Sequence, residues 1–171
     1  MVTLVPGSAM SVLRSFVGRG VVVPTICGAS PCGPVLRNAK LNGADMGGAT
    51  FTGAQMDGIE MNGISLRHTK LDHAGLRDLL AHGCTGCDLS QMDLRGIDLH
   101  GIRLAGADFS HSDLSGANLR DARLSGVSFD HANLSHADLR GAELVGCSLK
   151  HTNIDGVMIE GVKLTGTSLD L

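Results

Sequence analysis

From Leu41 to Leu76, and again from Leu89 to Leu169, every fifth residue is an aliphatic or phenylalanine side chain. That period excludes ordinary secondary structure. A five-residue step rotates an α-helix by about 140°, so the apolar residues would scatter around the cylinder. In a strand, side chains alternate between faces, and a five-residue step sends successive leucines to opposite sides. One core results only if the backbone turns a corner once per five residues and each new segment again points its central side chain at a common axis. The chain must coil, as an internally repeated solenoid.

The other positions of the repeat agree. Two residues before each centre stands a small side chain, as in Ala107, Ala117, Ala132 and Cys147. Just before the centre comes Asp or Asn, as in Asp88, Asp98, Asn118 and Asp138, polar groups able to bond nearby backbone. Two residues after the centre Gly is commonest, as in Gly96, Gly116 and Gly141, which marks a turn position with positive φ. Leu114, Leu119, Phe109, Phe129, Leu134 and Leu139 are the expected structural core.

Stretches such as Ala107-Asp108-Phe109-Ser110-His111, Ala117-Asn118-Leu119-Arg120-Asp121 and Ala137-Asp138-Leu139-Arg140-Gly141 resemble the pentapeptide-repeat family, whose pattern is A(D/N)LXX. The resemblance implies an all-β fold, a right-handed quadrilateral parallel β-helix with four pentapeptides per coil and residues twenty apart stacked on one another. About six coils are expected, a rod about 30 Å long at a strand spacing of roughly 4.8 Å. The domain division that follows is 1–33 as an N-terminal cap segment and 34–171 as the β-helix. Within the cap segment, Met10, Leu13 and Val17 share one side of a possible short helix stopped by Gly18.

Between Leu76 and Leu89 the phase slips by three residues, an excess of three or eight depending on whether Cys84 is a coil centre. An insertion near 77–86 is expected to protrude, with Leu76 to His82 as a helical turn ending at Gly83. Loops that interrupt a rigid scaffold are where function concentrates, so Arg77, Asp78 and His82 are the candidate binding residues. The same segment holds Cys84 and Cys87, a Cys-x-x-Cys that invites a zinc or redox reading. Against it, Cys87 and Cys147 occupy the small-residue slot, and five cysteines, an odd number, fit a reducing compartment better than a disulfide framework.

Six of the eight histidines occupy the turn position where Gly usually stands. His tolerates positive φ better than most residues, which explains them as turn residues. Yet His111, His131 and His151 are one coil apart and form a column, the candidate metal site, in which two imidazoles would share a divalent ion.

No catalytic constellation emerges. Carboxylates recur at outward positions of the repeat without a cleft, and there is no phosphate loop or Gly-x-Ser-x-Gly elbow, so neither an enzyme nor a cofactor is expected. No apolar run is long enough to span a membrane. The expected function is a non-catalytic protein–protein interaction scaffold with an unidentified protein partner, and the C-terminal coil is expected to support a homodimer. The resemblance implies an alternative, a DNA mimic that inhibits or protects a type II topoisomerase such as gyrase. A duplex 30 Å long carries about eighteen negative charges, whereas here seventeen acids face fourteen bases for a net charge of −3. Direct nucleic-acid binding is not expected. The cytoplasm is the expected compartment, with a secreted host-directed effector or an organelle-targeted form as further readings.

Overall fold

The corner predicted once per pentapeptide is visible in the backbone: φ is positive at every fifth residue from Gly86 to Gly166 without a break. The computed structural model describes residues 40–46, 58–69 and 71–170. The expected cap segment 1–33, with Cys27 and Cys32, lies outside them.

Between corners the chain is extended and pairs in parallel with the segment twenty residues on. Strands β1 (Arg103–Ala105), β2 (Arg123–Ser125), β3 (Glu143–Val145) and β5 (Lys163–Thr165) form one sheet, and β4 (Ser148–Lys150) and β6 (Ser168–Asp170) a second. Leu104, Leu124, Leu144 and Leu164 are in register, as are Leu149 and Leu169. The larger sheet thus climbs three turns. Isolated parallel bridges carry the same step back to Thr85 and supply the other two sides, such as Asp93 with Asp113 and Asp98 with Asn118. Corners on at least two sides are closed by a local bond, the N–H of Ala117 donating to the Leu114 carbonyl at 2.9 Å and that of Ala142 to Leu139 at 2.9 Å.

The interior is filled in columns. Leu114, Leu119, Phe109, Phe129, Leu134 and Leu139 are all buried, with alanines such as Ala117, Ala122 and Ala137 between them. The Phe109 and Phe129 rings stack with centroids 5.4 Å apart and planes 8° from parallel. A width set by Leu beside Ala leaves little room for collapse, and large rings are accommodated only one above another.

The phase slip has a definite structure. Ser65 pairs with Asp88, three residues beyond the usual step, and Cys84 is a coil centre because Thr85 pairs with Ala105. The excess is therefore three residues, not eight. It is taken up by helix α1 (His73–Ala81), which replaces one side of a coil and starts earlier than the helical turn expected from Leu76. Asp72 caps it, its carboxylate accepting the Gly75 N–H at 2.7 Å. Leu76, Leu79 and Leu80, at helical spacing, are buried against the core. Gly83, at φ +93, ends it and its N–H donates to the Leu80 carbonyl at 3.1 Å.

Cys84 and Cys87 are joined in a disulfide, and Cys147 is a buried free thiol whose ionisation burial pushes upward. The small-residue slot expected for Cys87 and Cys147 is where both lie, but the pairing of Cys87 with Cys84 was not expected. A coil centre and the small slot of the next segment face each other across one corner, and here their Cα atoms are 5.7 Å apart, inside the span a disulfide bridges.

Candidate functional site

Helix α1 and its C-cap carry the three residues expected to bind in a loop, but most of their polar groups are engaged within the coil. The Arg77 guanidinium pairs with the Asp98 carboxylate on the neighbouring coil. His82 Nδ1 donates to the Asp78 carbonyl at 2.7 Å and so finishes the helix that it follows. Asp78 itself is exposed. The insertion is thus a packed side of the rod, not a free loop, because its three leucines need the core. Beside its first turn runs a shallow groove of about 180 Å³, with Leu71, Leu76 and Met92 below and His68, His73 and Asp93 at the rim. Ordinary small-molecule pockets start near 300 Å³.

The histidines predicted to align do so. His111, His131 and His151 stack ring on ring, with centroid separations of 4.8 and 4.9 Å and planes 2° and 27° from parallel. All three are exposed at positive φ, +58, +59 and +54. Parallel rings aim their nitrogen lone pairs side by side, and among the described residues no three His, Cys, Asp or Glu side chains converge on one point. The corner is unusual at every described level: His68 and Gln91 continue it downward, also at positive φ. The corner that follows the preceding side is glycine throughout, Gly63, Gly86, Gly106, Gly126, Gly146 and Gly166.

Charge on the sides is largely paired along or between coils. Asp138 takes two bonds from the Arg140 guanidinium, at 2.9 and 2.7 Å, with Arg120 3.8 Å away. The Arg140 side chain and its backbone N–H hold the Asp138 carboxyl at about 2, below the usual carboxylate range. Asp93 is held at about 2 in the same way by Arg95. Asp130 is lowered as well: partial burial pushes its carboxyl up, but the Ser148 hydroxyl and the Lys150 N–H outweigh it. On the sheet of β1, β2, β3 and β5, Glu143 sits between Arg123 at 3.9 Å and Lys163 at 2.7 Å. Amides extend these ladders, with Asn118 Nδ2 donating to Asp98 at 2.9 Å and Asn133 Nδ2 to Asp113 at 3.1 Å.

The C-terminal coil, expected to support a homodimer, is the last described coil. Ile154, Ile159, Leu164 and Leu169, one centre on each side, are 38%, 64%, 50% and 51% exposed. Their backbone N–H groups have no further coil to meet among the described residues. The signal was present in the sequence as the final four members of the period.

A family model described as Pentapeptide repeats matches in eight copies, over residues 35–67, 84–121, 102–141 and 132–170. The chain belongs to the pentapeptide-repeat family. Solved structures similar to it include alr5209, a pentapeptide repeat protein from Nostoc Pcc 7120, at 29% identity over 60% of this chain and 98% of that one, TM-score 0.48. Rfr23, a pentapeptide repeat protein from the cyanobacterium Cyanothece 51142, is 22% identical over 77% of this chain and 91% of its own, TM-score 0.36. QnrB1, a plasmid-mediated fluoroquinolone resistance protein, is 22% identical over 75% and 85%, TM-score 0.29. No curated protein matches the chain. Among the described residues no helix is long and apolar enough to cross a membrane.

Proposed function

We propose that this protein is a non-catalytic scaffold for protein–protein contact that docks through the face of its last described coil, with a second copy of the chain as its first partner. The observation that carries this is the complete layer of apolar centres, Ile154, Ile159, Leu164 and Leu169, left exposed at one end. Contiguous apolar surface beside unpaired strand edges is what another chain covers. A two-fold axis across the end sets the same layer against itself, so one surface serves both partners.

The end is small. Sides of five residues are at most about 17 Å long, giving a footprint of roughly 300 Å² against about 800 Å² per partner in a standard interface. The self-contact is accordingly weak and depends on concentration. Ion pairing supports a scaffold over DNA mimicry. A duplex-like surface needs unneutralised charge, whereas Asp93, Asp98, Asp138 and Glu143 each hold an Arg or Lys.

Sedimentation equilibrium tests the reading. The chain should show a reversible dimer as concentration rises, and the double variant Ile159→Glu, Leu169→Glu should remain monomeric with an unchanged circular dichroism spectrum. A parent chain that stays monomeric up to about 1 mM, the weak limit of measurable affinity, removes the self-docking reading.

A further inference from the structure

The histidine corner supplies more than a turn. Non-glycine residues at positive φ recur on it at five successive levels, His68, Gln91, His111, His131 and His151, although glycine satisfies the same backbone one corner earlier. Conformations of this kind cluster where a side chain is needed at that point. The three upper rings are exposed, lie in contact at 4.8 and 4.9 Å, and make no hydrogen bond among the described residues. Their backbones are held in the ladder, the N–H of His111 donating to the Asp130 carbonyl at 3.0 Å and that of His131 to Lys150 at 2.9 Å. Donor atoms are therefore brought together by the fold, with only side-chain torsions left to adjust.

We propose that the column is a binding site for one divalent transition-metal ion of the imidazole-preferring group, zinc, nickel or copper, chelated by His131 together with either His111 or His151. Two nitrogens at about 2.0–2.1 Å from one tetrahedral ion lie about 3.4 Å apart. Rings whose centroids stack at 4.8 Å must therefore tilt to bring two nitrogens about 1.4 Å closer than the stack itself. Rotation of two exposed rings about their side-chain bonds turns parallel lone pairs into convergent ones. Imidazole donors select this part of the transition series over calcium or magnesium, which take oxygen. His131 is common to both pairs, so the column holds one ion, and the pair that forms leaves the third ring free.

The test is isothermal titration of the full chain, prepared without a histidine tag, with nickel chloride and with zinc chloride. Binding tighter than about 100 μM at one ion per chain is expected for at least one of the two. His131→Gly leaves His111 and His151 two coils apart, about 9.6 Å, and should weaken that binding at least about tenfold. Glycine is the residue that neighbouring corners use at this φ, so the variant keeps the fold, which a thermal melt checks. His111→Gly retains the other pair and should bind within a few-fold of the parent, and His136→Gly, on another corner, should bind as the parent does. Absence of binding by both ions overturns the proposal, and so does binding that survives His131→Gly.

Discussion

Two successive coils obey the same five-residue rule and have opposite environments. In the coil of Leu134, Leu139, Leu144 and Leu149 the centres are 0%, 4%, 1% and 4% exposed. One turn later Ile154, Ile159, Leu164 and Leu169 are 38% to 64% exposed, although β5 and β6, which carry Leu164 and Leu169, keep regular register with β3 and β4 beneath. The repeat therefore shapes a coil, but the neighbouring coil is what makes its centres a core. Stability in such a rod is a sum of nearest-neighbour contacts. An end layer has half of them, and that deficit is the chemical drive behind the proposed docking.

The sharpest way to break this comparison is to truncate one centre in each coil. Leu139→Ala should cost about 2 to 5 kcal/mol, since a narrow core cannot close around the cavity. Ile159→Ala, measured in dilute monomer, should cost less than about 0.5 kcal/mol, as for other surface changes. Equal losses in a denaturant melt mean that the end is covered in solution. A smaller contrast comes from the corners. Gly141→Ala puts a Cβ 2.3 Å from the Asp121 carboxylate at φ +71, whereas at Gly161, φ +72, the nearest atom is 3.8 Å away. We expect about 1 kcal/mol for Gly161→Ala from positive φ alone and slightly more for Gly141→Ala, where the exposed Asp121 side chain must also swing aside. A larger loss at Gly161 reverses the order of the two corners.

The coil and its register were legible because they follow from spacing alone: a centre every fifth residue admits no other burial, and stacking at twenty places Leu119 beneath Leu139. The insertion was legible as a slip in phase, but not its extent, since Asp72 reads as one more polar residue of the repeat until its cap on Gly75 is seen. The Cys84–Cys87 bond was not legible, because it depends on how closely a centre approaches the next small slot across a corner. Ring stacking in the histidine column was also hidden. Sequence places the Cα atoms at one corner, whereas the rings are set by torsions that spacing does not encode. Exposure of Ile154 and Ile159 depends on what lies above them, which is a property of the stack and not of the pentapeptide.

Acid should separate the two coils least, and in a definite direction. Asp138 in the inner coil is bonded to Arg140, while its partner on the ladder above is Met158, which cannot titrate. The folded-state value of about 2 lies below the usual value near 4 for the unfolded chain. Stability from this pair is therefore fully present above about pH 4 and is lost as pH falls toward 2. The pair is close to solvent, so the loss should stay below about 1 kcal/mol. Asp138→Asn should flatten that part of the pH profile, and its stability should approach the parent's as pH falls through about 2. Melts of parent and variant between pH 2 and 6 check it: curves that converge at low pH assign the acid sensitivity to Asp138, and parallel curves move it to another carboxylate of the inner coils.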